Sequence, residues 1–245
     1  NTFPRTFRRH IAAFCIALAV TLLGAFFGGL VLTLDPDAKR DILPFGHGMM
    51  DPSERVLREE SAENDRLKNQ KAHFFSYLMT HNTKVSIFSM ALGMTWGVGT
   101  VILLFYNGVI LGALSLDYIM SGEAVFLLGW LLPHGAIEIP AILLASQAGL
   151  VLAGALIGWG DRASSVKIRL RKISGDLVTL ISGVAIMLVW AGIIEAFLSQ
   201  YHEPVMPYEA KIGFGLFEMA LLVTFLWKSG SKREKKRDND GPFNA

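Results

Sequence analysis

The stretch Leu131–Ala145, LLPHGAIEIPAILLA, decides how the rest of the chain is read. Its background is apolar, yet Pro133, His134, Gly135, Glu138 and Pro140 interrupt it. An ionisable pair inside an apolar run is costly unless it is paired or wetted, so it invites a functional reading. His134 and Glu138 stand at i,i+4, which on a helix puts imidazole and carboxylate on one face, able to meet each other or one ion. Proline lacks a backbone donor and disfavours a helical residue before it, while glycine tolerates turns. Pro133 to Gly135 is therefore expected to end one helix and start another, a broken or re-entrant element with His134 at a helix mouth.

The surroundings set the solvent. The chain has 245 residues, of which 52% are hydrophobic and 18% charged, and its uncharged runs are long. That composition predicts an all-α, polytopic helical transmembrane bundle. The net charge of +2 carries little information, because in such proteins the placement of Lys and Arg matters. The single cysteine, Cys15, leaves no intrachain disulfide and no Cys-based metal cluster within this sequence. Asn1 opens it, so an upstream segment is expected; the first apolar run is too long, and its exit too charged, for a cleaved signal peptide.

Residues 1–10 form a basic collar with Arg5, Arg8 and Arg9, expected in the cytoplasm. Residues 11–34 form the first span, with Gly24 and Gly28 as a GxxxG pair, and Asp35 and Pro36 end it. Residues 35–84 are polar and expected outside the cytoplasm. They are loop-like over 44–50 and helical from Asp51 as N-cap and Pro52 as first helical residue. Residues 85–227 hold the rest of the bundle, with the PHGxxE core.

Within that bundle, Val85–Tyr106 is expected to span, and Asn107–Gly108 reads as a turn before a short third crossing, Val109–Met120. Ala124–Leu132 is too short to span, whereas Gly135–Gly158, Gly175–Leu198 and Ile212–Trp227 are long enough. Asp161–Lys172 is a basic link at headgroup level, and 228–245 is a basic, disordered cytoplasmic tail. About six crossings put both termini on one side, which the positive-inside rule makes the cytoplasm.

His134, Glu138 and Glu195 are the expected polar intramembrane cluster. The commonest use of such residues is structural, satisfying each other and the free backbone groups of a broken helix. The alternatives are a proton-accepting pair or a His/Glu/Glu site for zinc or another divalent ion, although no HExxH is present. Glu218 falls near the bilayer midplane, either a protonated carboxyl facing the bundle or a residue on a proton or ion path. His81, Asn82, Asn107, Pro133, Gly135 and Pro140 are supporting residues. No Walker loop, local Ser-His-Asp arrangement or dinucleotide fingerprint occurs.

LLPHGAIEIPAILLASQAGL resembles the signature of the stage II sporulation protein M family, a group of polytopic prokaryotic membrane proteins. FPRTFRRH, HNTKVSIFSMALGMTWGVGT, LLFYNGVILGAL and AGIIEAF resemble that family's pattern in the same order, from Phe3 to Phe197. The position of Asn82 resembles one that often reads Asn-Asn; here His81 precedes it. The resemblance implies a role like that of the founding member, which works with a peptidoglycan hydrolase and a second membrane protein in envelope remodelling, as a membrane scaffold. It also implies a helical cytoplasmic segment ahead of FPRTFRRH.

The leading expectation is a non-enzymatic multispan scaffold or subunit of a cell-envelope complex in the inner membrane. Its contact surfaces would be the outer polar helix and the glycine-lined spans, and its partners membrane lipids and copies of itself or other envelope proteins, with no nucleic acid. The rivals are a transporter or channel with an intramembrane His/Glu site, and an intramembrane metal-dependent hydrolase.

Overall fold

The computed structural model describes residues 2–43, 51–60, 68–194, 198 and 206–229, with side chains except at 59 and 68–79. The expected loop at 44–50, Glu195 and the tail from 230 onward lie outside the described residues.

Among the described residues every regular element is helical. The α-helices are α1 (Thr2–Arg9), α2 (Ile11–Leu34), α3 (Lys39–Ile42), α4 (Pro52–Glu60), α5 (Lys68–Ala91), α6 (Val98–Met120), α7 (Ala124–Ile157), α8 (Val166–Ile194) and α9 (Tyr208–Lys228). The ends follow local chemistry. Asp35 stops α2 and accepts from the Asp37 amide, and Asp51 caps α4 by accepting from the Ser53 amide at 2.9 Å, with Pro52 first in the helix. Gly158, at φ 80°, ends α7, and the Arg169 guanidinium bonds the carbonyls of Ala155 and Leu156 that the helix end leaves open.

Five helices, α2, α6, α7, α8 and α9, are long and apolar enough to cross a membrane. Direction adds a sixth. The Arg8 guanidinium donates to the Leu226 carbonyl at 2.6 Å, so the start of α2 and the end of α9 share one end of the bundle, here the near end. Five crossings cannot return the chain to its starting side; α5 closes the count. It runs alongside α7 in the same direction, from Asn82 beside Glu138 to Gly93 packed on Gly149. The chain thus runs the length of the bundle six times, and five of those six helices are long and apolar enough to cross a membrane.

Two expected breaks are corrected. Pro133 and Pro140 both lie inside α7, which runs unbroken through 34 residues, so His134 sits in mid-helix and not at a mouth. Each internal proline removes one backbone bond, at a cost of at most about 3 kcal/mol and less where neighbouring groups or local helix adjustment re-satisfy the freed carbonyl. Breaking the helix would strip about four donors and four acceptors within the bilayer, each worth roughly 1–3 kcal/mol, so continuity wins. Likewise Asn107–Gly108 is not a turn, since α6 passes straight through it. The Asn107 amide bonds back to the Leu103 carbonyl at 2.8 Å, and Gly108 is one of the points where the α2 backbone comes close. The real reversal is at Trp96 (φ 54°) and Gly97 (φ 85°), after a 3-10 turn over Leu92–Thr95.

The glycine pairs are spent inside the molecule. A Cβ on Gly24 would collide with the Phe105 carbonyl, one on Gly28 with the Val109 carbonyl and one on Gly112 with the Ala25 carbonyl. Residue numbers rise together along this seam, so α2 and α6 are parallel. Close backbone approach through small residues is how helices associate where lipid removes the hydrophobic drive. α7 is the hub: 56% of its most apolar window is buried, against 22–28% in the other four spans. One cluster packs Ile137, Ala141 and Leu144 of α7 on Val184, Met187 and Ala191 of α8 and Leu226 of α9. At the near end, Gln147 of α7 donates to the carbonyls of Phe7 and His10, and Asp176 of α8 binds Arg9 and His10 at 2.8 Å each.

Candidate functional site

The decisive stretch faces a cavity of about 170 Å³ enclosed by α2, α5, α6 and α7. Its wall is mostly aliphatic, from Thr21 and Leu104 at mid-depth to Leu43 and Leu114 at the far end. One polar patch interrupts it. His81 and Asn82 come from α5, Asn107 from α6, and His134 and Glu138 from α7. The i,i+4 spacing does set His134 and Glu138 on one face; both are buried, at 2% and 3% exposure. The Asn82 amide donates to a Glu138 carboxylate oxygen, which ties α5 to α7 inside the bundle. A bond from amide to carboxylate is charge-assisted and helps offset the cost of burying the acid.

The far end is roofed. α4 lies across it with Val56 buried among Tyr118, Phe126, Trp130 and Tyr208. Arg55 stacks its guanidinium 4.7 Å from the Trp130 ring centre and donates to the Tyr118 hydroxyl at 2.9 Å. Trp130 in turn meets His134 edge-on at 6.5 Å, one turn along α7, so its indole links the roof to the polar patch. The Tyr208 hydroxyl donates to Glu60 at 3.0 Å, joining α4 to α9.

Not every expected residue is gathered here. Glu218 is buried between α8 and α9, where one carboxyl oxygen accepts from the Trp190 indole at 2.6 Å, and it is not part of the cavity wall. Pro133 is buried within α7 and Pro140 is half-buried, neither lining the cavity, whereas Gly135 does. For the His134/Glu138/Glu195 set, two members are described; among the described residues no three His, Cys, Asp or Glu side chains cluster as a metal site. Two features escaped the sequence reading. Trp130 was passed over inside an apolar run. Lys211, just ahead of the expected span Ile212–Trp227, is fully buried on α9. The spacing of Tyr208, Lys211, Gly215 and Glu218, all buried, was the signal that the helix starts before it.

The sequence profile of the family described as Stage II sporulation protein M matches residues 15–200. The chain belongs to that family. The match takes in most of α2 and all of α5, α6 and α7 around the cavity, and leaves out α1 and α9, so FPRTFRRH falls outside it. A relative is an uncharacterised protein of Methanocaldococcus jannaschii, 36% identical over 76 residues, or 31% of this chain and 43% of that one. The aligned part thus spans less than half of the relative's length. No solved structure matches the chain. Together with the five apolar helices, membership makes this stage II sporulation protein M relative a membrane protein.

Proposed function

We propose that this family member binds a small, partly polar solute in the cavity among α2, α5, α6 and α7, as part of a transport or sensing system of the cell envelope. One observation carries the reading: five polar side chains from three helices converge on one space at bilayer depth, in a wall otherwise mostly aliphatic, with Thr21 and Trp130 beside them. Ligand sites are typically apolar with a few placed polar groups, and intramembrane ionisable residues mark solute paths. The volume is close to the ~150 Å³ that accommodates a benzene-sized molecule. Orientation follows charge. The near end carries Arg5, Arg9, Lys167, Arg171 and Lys172, so the positive-inside rule assigns it, with both termini, to the cytoplasm of an inner membrane.

The test uses the full chain in nanodiscs and a panel of benzene-sized solutes bearing one amine, hydroxyl or carboxyl group. At least one is expected to raise Tm, by mass action on the folded state. Leu111→Trp, which fills the cavity, removes that shift. Absence of any shift across the panel would defeat the proposal.

A second reading, a subunit that docks other envelope proteins, is supported by α4. That helix is pinned to the bundle through Arg55 and Val56, and it holds Leu57 outward at 67% exposure beside Glu54 and Arg58. It does not draw on the glycine pairs of α2 and α6, which are already occupied. Loss of copurifying membrane proteins on Leu57→Glu is its expected signature, and unchanged copurification would count against it.

A further inference from the structure

α8 and α9 both pack on α7, and a polar pair bridges the two at mid-depth. Glu218 of α9 is 6% exposed, and its Oε1 accepts from the Trp190 indole of α8 at 2.6 Å. Its other oxygen, Oε2, is buried and has no hydrogen-bond partner among the described residues. Trp190 is itself 49% exposed, so its ring covers the acid on the lipid side. Neither residue lines the cavity.

Depth follows from the helical rise. Glu218 stands midway between Tyr208 and Lys228, about 15 Å from either end of α9, which is the midplane of a hydrocarbon core about 30 Å thick. On α8, Trp190 lies about 21 Å beyond Asp176, where Arg9 and His10 are bound. Among the described residues no charged group acts on Glu218 at that depth. Arg8 of α1 bonds the Leu226 carbonyl two turns towards the near end, and Lys211 lies two turns the other way along α9, about 10 Å off. α7 and α8 offer only the apolar cluster of Ile137, Ala141, Met187 and Ala191.

Two forms of the acid compete there. A carboxylate would rest on one neutral donor in hydrocarbon, where an ion answered so weakly is driven to neutralise. The neutral acid needs no counter-charge: its carbonyl oxygen takes the indole, and its hydroxyl is left at the smaller cost of an unpaired neutral donor. We infer that Glu218 is a proton-binding site, held as the carboxylic acid in the folded protein, and so a site of modification by lipid-soluble reagents that add to protonated carboxyls. A carbodiimide is such a reagent. The acid's proton passes to one nitrogen while the carboxyl oxygen bonds to the central carbon; the acyl group then shifts to nitrogen, leaving an acylurea that keeps every atom of both partners.

Difference infrared spectroscopy of the full chain in nanodiscs at neutral pH, wild type against Glu218→Gln, tests this. The variant is expected to lose a carbonyl band of a carboxylic acid. In Trp190→Phe that band should move to higher frequency, because the carbonyl has lost its donor. Loss of carboxylate bands in place of the acid band would overturn the site, since Glu218 would then be an ion in the field of Lys211. A second measurement leaves Glu218 itself in place. In Trp190→Ala, which uncovers the acid to lipid, dicyclohexylcarbodiimide should label Glu218 faster than in wild type, as read by mass spectrometry, and a water-soluble carbodiimide should label it in neither chain. Failure to label the uncovered acid, or labelling by the water-soluble reagent, would overturn the proposal as well.

Discussion

Two glycine dipeptides eleven residues apart, Trp96–Gly97 and Asn107–Gly108, have opposite fates. The second reads as the better turn, yet the helix ignores it; the first carries a bulky aromatic, yet the chain reverses there. The difference lies in what surrounds each backbone. Gly108 is in mid-helix against α2, where opening the helix would leave peptide groups without partners in hydrocarbon. Gly97 stands at the near end, beside Ala153 in the last turns of α7, where water can serve the freed groups. In a bilayer, depth decides which breaker breaks, and Pro133 and Pro140 obey the same rule.

The strongest way to break this comparison is Gly108→Leu. Its side chain would enter the Thr21 carbonyl and the Gly24 backbone, with no flexible neighbour to yield. A loss of about 3–5 kcal/mol is expected in reversible unfolding in bicelles. A cost below about 0.5 kcal/mol would show that the α2–α6 seam is not packed this way.

Next in size is the polar tie at mid-depth. Glu138→Ala should cost about 1–3 kcal/mol, and a double-mutant cycle with Asn82→Ala should show the two substitutions to be coupled. Strict additivity would mean that the Asn82–Glu138 bond contributes nothing.

Gly97→Ala sharpens the other arm. Its φ of 85° and a Cβ only 3.0 Å from that of Ala153 predict a loss of about 1–2 kcal/mol. Tolerance of Ala without loss in the same unfolding assay would remove Gly97 as the strained point of the reversal.

Pro140→Ala should change stability by less than about 1 kcal/mol, since it restores a backbone donor without altering the helix. Circular dichroism should show unchanged helicity; a clear rise would mean that the helix is interrupted there after all.

The smallest effect belongs to Asp161 in the near-end link. Hydrogen bonds from Lys172 and Ser164 hold its pKa at about 2, below the ordinary 3.8. A group whose pKa is depressed by folding stabilises the protein above its unfolded value and loses that contribution as pH falls through the folded one. Stability should therefore decline slightly between about pH 4 and pH 2, and Asp161→Asn should flatten that slope. The group is exposed, so a steep dependence there would point to a different carboxylate.

What the residues disclosed in advance follows the same logic. The all-α bundle and the bounds of α2 were legible because 24 apolar residues end at Asp35–Pro36, a stop that needs no tertiary context. The N-cap at Asp51 was legible for the same reason. The α5–α6 reversal was not, because glycine serves both turning and close packing, and only the neighbouring helix tells which. The i,i+4 face of His134 and Glu138 could be read from spacing alone. That Asn82 would meet Glu138 could not, since α5 reaches that depth only after an extramembrane excursion. Lys211 was misplaced because a charged residue reads as a boundary, although here α9 begins before it at Tyr208.

The parallel seam of α2 and α6 has a consequence for biosynthesis. These two rods lie flank to flank, yet the chain cannot pair them in succession, because parallel neighbours require a return passage in between. α5 is that passage. A nascent chain halted ahead of Val98 would hold Gly24 and Gly28 bare towards lipid, waiting for a mate that has not yet been made.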